Sequence, residues 1–164
     1  MFTRNELTAL VLGARLVRAW GGAENVAAAD SALQRIEAVL PEELRGEFDS
    51  ILLYAPGYRM TQQLRERLDA LHGACKTRQA IRFGYEREDG ARSERSVRPL
   101  ALAFWSGVWT LASWCELRED FRSFRMDRME DVEVLERTFV QKKGQRLEDY
   151  LRLTVPPGDR GRFG

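Results

Sequence analysis

Aromatic and arginine side chains are concentrated in one stretch of the second half of the chain. Three tryptophans come first, namely Trp105, Trp109 and Trp114. Four arginines follow at intervals of four, three and three residues: Arg118, Arg122, Arg125 and Arg128. Aromatic rings stack on nucleobases, and guanidinium groups bind phosphate oxygens in bidentate fashion. The stretch therefore favours binding of a nucleotide or a short single-stranded nucleic acid.

The same pattern also fits a folded domain without a ligand. Trp109, Leu111 and Phe124 would then be core residues, and the arginines would form a solvated face. Between residues 78 and 128, ten arginines stand against eight acids. Four of these acids lie next to the arginines: Glu116, Glu119, Asp120 and Asp127. Surface pairs of this kind contribute only about 0–1 kcal/mol, and both interpretations stay open at this point.

The sequence carries no recognisable catalytic or metal-binding pattern. His72 is the only histidine, and its neighbour Leu71 lies on the apolar side of a predicted helix, so a structural role is favoured. Cys75 and Cys115 are far apart and form no CxxC motif, which indicates reduced, buried thiols rather than a zinc site. No GxSxG, HExxH or glycine-rich phosphate loop occurs. We therefore expect no enzymatic activity, no cofactor and no metal.

Composition and charge set the class of protein. The chain has 164 residues, 44% hydrophobic and 31% charged, with a net charge of +1. That is typical of a folded domain and excludes a chain that binds polyanions through overall charge. The N-terminus has no signal-peptide pattern, and no apolar run approaches the roughly 18 residues that a membrane helix needs. We expect a cytoplasmic protein without membrane contact.

The first part of the chain is predicted to be helical. Thr3 and Glu6 form a capping-box pattern, and Gly21-Gly22 ends the first helix. A second helix, ended by Pro41, carries one apolar stripe: Val26, Ala29, Leu33, Ile36 and Leu40. A short third helix follows over about 42–50. Because the stripe is more apolar than three helices easily bury alone, we predict a homodimer.

The second part is predicted to be an antiparallel sheet. A helix after Thr61 leads into strands with alternating side chains, joined by turns at Asp89-Gly90 and Ser106-Gly107. Five short strands in about 60 residues indicate a small barrel or a strongly curled sheet. The strand over 121–126 would place Ser123 and Arg125 on the face opposite Phe124. We assign a helical linker and dimerisation unit (1–60), a domain with a leading helix and a β-barrel (61–137), and a C-terminal helix with a flexible tail (138–164).

Several of these segments resemble the WYL-domain transcriptional regulators of the DeoR-like helix-turn-helix subfamily. The matching segments are Arg98-Pro99-Leu100, residues 109–115, Leu117-Arg118 and residues 122–129, the last resembling R-x-F-R-L-D-R-I. Residues 2–7 and the two helices after them resemble the segment that links the DNA-binding and WYL domains. The resemblance covers nearly the whole chain. One departure is Thr110, where the Trp-Tyr-Leu triplet of the family has tyrosine, so base stacking there is weakened.

The resemblance implies an α+β protein with an Sm-like five-stranded antiparallel β-barrel. It also implies effector sensing, with nucleotide or single-stranded DNA ligands in some members. The effector-binding residues would be Trp109, Thr110, Arg118, Arg122, Ser123, Arg125 and Arg128. A winged helix-turn-helix domain would precede residue 1. We expect that domain to be missing here. Because duplex DNA would be bound only through that domain, we do not expect this chain to bind duplex DNA directly.

The main hypothesis is thus an effector-sensing, ligand-binding part of a bacterial transcriptional regulator. The alternative is a ligand-free dimerisation or interaction module that modulates a full-length regulator. A concave basic pocket around Arg118 and Arg125 would favour the first hypothesis, and a flat, acid-neutralised face the second. A third hypothesis, an Sm-like RNA-binding protein, requires a stack of exposed aromatic rings.

Overall fold

The structure, a computed structural model, describes residues 2–49 and 55–162. The helices are α1 (Arg4–Trp20), α2 (Ala23–Val39), α3 (Glu42–Asp49), α4 (Gln62–Thr77) and α5 (Leu147–Thr154). The strands are β1 (Gln79–Glu86), β2 (Arg92–Trp105), β3 (Val108–Cys115), β4 (Asp120–Arg125) and β5 (Met129–Thr138). The chain divides into two compact units, Met1–Asp69 and Ala70–Gly164, so the boundary falls within α4. The α+β class and the five antiparallel strands are confirmed.

The first unit is helical, and its caps follow the predicted pattern. Thr3 Oγ1 accepts from the Glu6 amide at 3.3 Å, and the Glu6 carboxylate accepts from the Thr3 amide at 2.7 Å. The helix ends at Gly21. At Gly22 a Cβ atom would come within 2.0 Å of Asp69 Oδ1, because Asp69 also accepts from the Glu24 amide and caps α2. A side chain at position 22 would therefore displace the Asp69 carboxylate from this cap.

The apolar stripe of α2 is covered within this unit. Leu33 and Leu40 are buried together with Val11 of α1. Leu7, Ala14, Ile36 and Leu44 surround this cluster. The stripe was the basis for predicting a homodimer, and that argument fails because α1 and α3 already cover it. Residues 50–54, part of the expected transition to the second unit, lie outside the described residues.

The second unit is a curled sheet with the strand order β4-β3-β2-β1-β5. Thr61 caps α4 through a 3.2 Å bond from the Leu64 amide. Ser106 and Gly107 join β2 to β3 with positive φ angles of 48° and 80°, as in a type I′ turn. Both hairpin turns lie where the sequence predicts them.

The sheet is strongly curled because β4 and β5, its two edges, are joined by only one 3₁₀ turn, Met126–Arg128. Four strand spacings in a flat sheet would separate the edges by about 19 Å. The link between Arg125 and Met129 reaches at most about 14 Å. The sheet therefore curls, and Phe83 of β1 packs against Phe124 of β4 with ring centroids 5.1 Å apart.

The interior of the curl holds the core of the second unit. Its most deeply buried side chains include Phe83, Leu71, Ile81, Leu111, Met126, Met129, Val97, Pro99 and Cys115. After β5, the chain forms α5 and then a 3₁₀ helix over Pro157–Arg162, where sequence analysis expected a flexible tail.

Candidate ligand-binding surface

β4 and the 3₁₀ turn after it carry most of the predicted ligand-binding residues. Phe124 is buried in the sheet interior, at 5% exposure. Its neighbours Ser123 and Arg125 lie on the opposite face, as the alternation along a strand requires. Arg125 is in register with Thr110 of β3, so two predicted site residues are cross-strand neighbours. Arg125 therefore projects outward beside Thr110.

A carboxylate two residues along the chain engages the Arg125 guanidinium. The Arg125 Nε and Nη2 atoms donate to the two oxygens of the Asp127 carboxylate at 3.0 and 2.7 Å. These hydrogen bonds raise the pKa of Arg125 and lower the pKa of Asp127, so both groups are charged at neutral pH. The side chains are 41% and 40% exposed. Water therefore screens the pair, and a competing anion can reach it.

An open cavity of about 390 Å³ lies beside this pair. Its lining residues are Glu86, Arg87, Glu88, Asp127, Arg128 and Glu130. Arg128 approaches Glu88 at 3.7 Å. Because the lining has two more acids than bases, an anion is accommodated only where it replaces a carboxylate beside an arginine.

The other two arginines of the predicted set lie elsewhere. Arg118 lies in the β3–β4 turn, at the opposite end of β4 from Arg125, and a strand of six residues spans roughly 17–20 Å. Arg122 is in register with the buried Ser113, on the face opposite Arg125. It pairs with Asp120 at 3.1 Å. The four arginines therefore do not converge on a single phosphate.

The aromatic residues of the β2–β3 hairpin form a small cluster at its tip. Phe104 and Trp109 pack with centroids 5.1 Å apart and planes tilted by 51°. Trp105 beside them is 62% exposed. The hydroxyl of Thr110 donates to the Ala103 carbonyl at 3.3 Å, within the sheet. The tilted Phe104–Trp109 pair is not a stack, and the RNA-binding hypothesis stays a prediction.

Ser123, also in the predicted set, contacts α5. Its hydroxyl lies 2.8 Å from the Tyr150 hydroxyl. The Tyr150 ring packs edge-on against Phe121, which packs in turn against Trp114. Trp114 is therefore part of a packed aromatic cluster, and Ser123 is tied to the C-terminal helix.

Asp149 holds the start of α5 and was not identified from the sequence. Its carboxylate accepts from Arg146 Nε at 3.0 Å and from the amides of Arg146 and Gly144 at 3.0 and 2.9 Å. The Arg146 side chain first, and then these amides, lower the pKa of Asp149 to about 2. The sequence does contain a signal for this role, because Asp149 is an acid in the first turn of a predicted helix, where the helix dipole favours a negative charge.

The described residues offer little for covalent or metal chemistry. Burial raises the pKa of the Cys75 thiol to about 12, so it is not a nucleophile at neutral pH. Within residues 2–49 and 55–162, no group of three or more His, Cys, Asp or Glu side chains is arranged to hold a metal ion. None of the helices in these ranges has the length and apolar character needed to cross a membrane.

Comparisons with known proteins identify part of the chain. Residues 66–134, from the first half of α4 into β5, match the WYL domain. The chain is similar to YobV of Bacillus subtilis (strain 168), an uncharacterized HTH-type transcriptional regulator, with 32% identity over 119 residues. The match covers 68% of this chain and 37% of YobV.

A solved structure is also similar. It is the proteasome accessory factor B/C (PafBC) of Arthrobacter aurescens, with 18% identity and a TM-score of 0.45. The match covers 87% of this chain and 22% of that chain.

Proposed function

We propose that this chain is the effector-sensing part of a bacterial transcription regulator. Its effector would be a nucleotide or short single-stranded nucleic acid whose phosphate binds at the Arg125 end of β4. The WYL domain and the similarity to an HTH-type regulator support the regulatory role. The observation that carries the site is the exposed, bidentate Arg125–Asp127 pair beside a cavity that Arg128 lines.

On binding, a phosphate of the effector would take the place of the Asp127 carboxylate on Arg125. An exposed ion pair contributes about 0–1 kcal/mol, whereas a charge-assisted hydrogen bond in a binding site contributes roughly 1.5–3 kcal/mol. A phosphate also offers the bidentate geometry that Asp127 now supplies to Nε and Nη2. The released carboxylate would turn to solvent. The acids around the cavity keep the affinity modest and sensitive to salt.

The second candidate is a ligand-free interaction module. The ion pairs favour it, because Arg122, Arg125 and Arg128 each have a carboxylate at 3.1, 2.7 and 3.7 Å, respectively. In that account the Arg125–Asp127 pair only stabilises the 3₁₀ turn, and the surface binds no phosphate.

A titration with two matched variants separates these accounts. Short labelled single-stranded DNA and common nucleotides are titrated into the wild type, Arg125→Ala and Arg118→Ala. Each variant removes one positive charge, at opposite ends of β4. We expect Arg125→Ala to weaken binding by about tenfold or more, and Arg118→Ala to change it by less than about twofold. Wild-type binding should also weaken as salt is added.

Two outcomes would contradict the proposal. Equal weakening by both variants would assign the binding to general positive charge rather than to a site at Arg125. No binding of these probes to the wild type at low salt would favour the interaction module. Circular dichroism establishes that each variant keeps its fold, since both side chains lie at the surface.

A further inference from the structure

On the basis of the phosphate site proposed at Arg125, we propose that the effector is a guanine nucleotide whose base binds to the Glu130 carboxylate. Glu130 lies at the start of β5 and lines the cavity beside Arg125 and Asp127. The cavity volume of about 390 Å³ falls within the roughly 300–1,000 Å³ of small-molecule sites. The cavity therefore has room for more of a nucleotide than its phosphate.

The charges of the cavity lining do not suit a ligand that is only an anion. Four of its six residues are acids. Arg87, one of the two bases, is paired at 3.4 Å with Asp89, which does not belong to the lining. Ionised carboxylates repel a phosphate and accept hydrogen bonds without donating any. A ligand that brings a phosphate here must therefore also present hydrogen-bond donors to the carboxylates.

The four acids differ in how far their carboxylates are already engaged. Asp127 accepts two hydrogen bonds from its arginine partner, and Glu86 accepts two from an arginine of β2 at 3.2 and 3.0 Å. Glu88 and Glu130 each approach one arginine at 3.7 Å, which is too long for a hydrogen bond. Among the residues that the structure describes, no side chain donates a hydrogen bond to either of these two carboxylates.

Position and exposure separate Glu88 from Glu130. The pKa of Arg125 is raised mainly by its hydrogen bonds to Asp127, and to a smaller extent by the charge of Glu88. Glu88 therefore lies near the phosphate end, and its side chain is 91% exposed. Glu130 lies near Arg92 of β2 instead, and its side chain is 52% exposed. Because water competes less for a hydrogen bond at the less exposed carboxylate, Glu130 is the better partner for a base.

Guanine is the base whose donors suit a single carboxylate. A carboxylate offers two acceptor oxygens and, when ionised, no donor. Guanine carries its N1–H and its 2-amino group side by side on the Watson–Crick edge, so both donate to one carboxylate. Adenine and cytosine have an amino group next to a ring nitrogen that accepts, and in uracil and thymine two carbonyls flank the N–H. Because those acceptors repel a carboxylate, Glu130 selects guanine.

Isothermal titration calorimetry with GMP and IMP, at low salt and with EDTA present, tests this proposal on the whole chain. The two nucleotides share the phosphate, the sugar and the N1–H, and they differ only in the 2-amino group of GMP. Because Glu130 is half exposed, we expect GMP to bind about fivefold tighter than IMP, the lower end for a bidentate base contact. Arg125→Ala should weaken binding of both nucleotides alike, because it acts on the phosphate.

Two matched variants identify the carboxylate. Glu130→Gln and Glu133→Gln each remove one negative charge from β5, but only Glu130 lines the cavity, whereas Glu133 pairs with Arg82. We expect Glu130→Gln to reduce the preference for GMP over IMP to less than about twofold, and Glu133→Gln to keep it at about fivefold. Because the two ligands carry the same charge, the general effect of the lost carboxylate cancels in this comparison.

The results distinguish the base contact from the phosphate site. Equal affinities of the wild type for GMP and IMP, both lowered by Arg125→Ala, would overturn the proposal and leave the phosphate site in place. A preference for GMP that survives Glu130→Gln would overturn the contact with Glu130. If neither nucleotide binds at low salt, the guanine contact and the phosphate site both fail.

Discussion

Replacing Phe83 by alanine should destabilise the sheet unit by about 3–5 kcal/mol. Phe83 is 1% exposed and lies inside the curl of the sheet. Its ring packs edge-on against Phe124 at 5.1 Å and Tyr85 at 6.3 Å. Removing the ring leaves a cavity that strands of the sheet cannot easily fill. Urea unfolding followed by tryptophan fluorescence measures the change, because three of the four tryptophans belong to this unit.

Phe104→Ala is the matched control for this prediction. Phe104 is 42% exposed at the tip of the β2–β3 hairpin, where its ring packs against Trp109. Its loss should reduce the free energy of unfolding by about 1 kcal/mol or less. Similar losses for the two variants would mean that Phe83 is not at the centre of the core.

The second large effect is expected at Glu116, which joins three strands. Its carboxylate accepts from Arg98 of β2 at 3.2 Å and from both Nη atoms of Arg137 of β5 at 2.9 and 2.7 Å. Glu116 and Arg98 are only 25% and 23% exposed. Glu116→Ala leaves Arg98 without its carboxylate partner, so we expect a loss of about 1–3 kcal/mol in urea unfolding.

An exposed ion pair serves as the control for Glu116. Glu133 lies 2.6 Å from Arg82, but both side chains are more than half exposed. Despite the short distance, Glu133→Ala should cost less than about 1 kcal/mol. If this variant loses as much stability as Glu116→Ala, burial does not determine the strength of these pairs.

The contribution of Glu116 also depends on pH. Hydrogen bonds from Arg137, and secondarily from Arg98, lower the pKa of Glu116 in the folded state. Its stabilisation is therefore fully present above the ordinary carboxyl pKa and disappears as the pH falls through the lowered one. The difference in stability between the wild type and Glu116→Ala should shrink accordingly in acid.

Local features of the fold could be predicted because they depend on neighbouring residues. The Thr3–Glu6 capping box and the Ser106-Gly107 turn involve side chains and backbone angles within a few positions. Which apolar face packs against which is a matter of tertiary structure. Leu33 and Leu40 meet Val11 of another helix, so a stripe interpreted as a dimer contact is internal.

The candidate site was predictable only in part, for the same reason. Asp127 is two residues from Arg125, and its carboxylate could be foreseen as a partner. Tyr85, whose hydroxyl accepts from the Arg125 amide at 3.2 Å, is forty residues away and arrives through the curl of the sheet. Glu88 is likewise forty residues from Arg128 and comes within 3.7 Å of it through the same curl of the sheet. The regular spacing of the arginines in sequence did not indicate that Arg118 and Arg125 lie at opposite ends of β4.

The central claim, that phosphate replaces Asp127 on Arg125, is tested most directly by the Kd of Asp127→Asn for the same labelled single-stranded DNA. The variant frees Arg125 from a pair worth about 0–1 kcal/mol and removes a negative charge from the cavity lining. The account predicts phosphate binding about three- to tenfold tighter than that of the wild type at low salt. Unchanged or weaker binding by a variant that keeps its fold would contradict it.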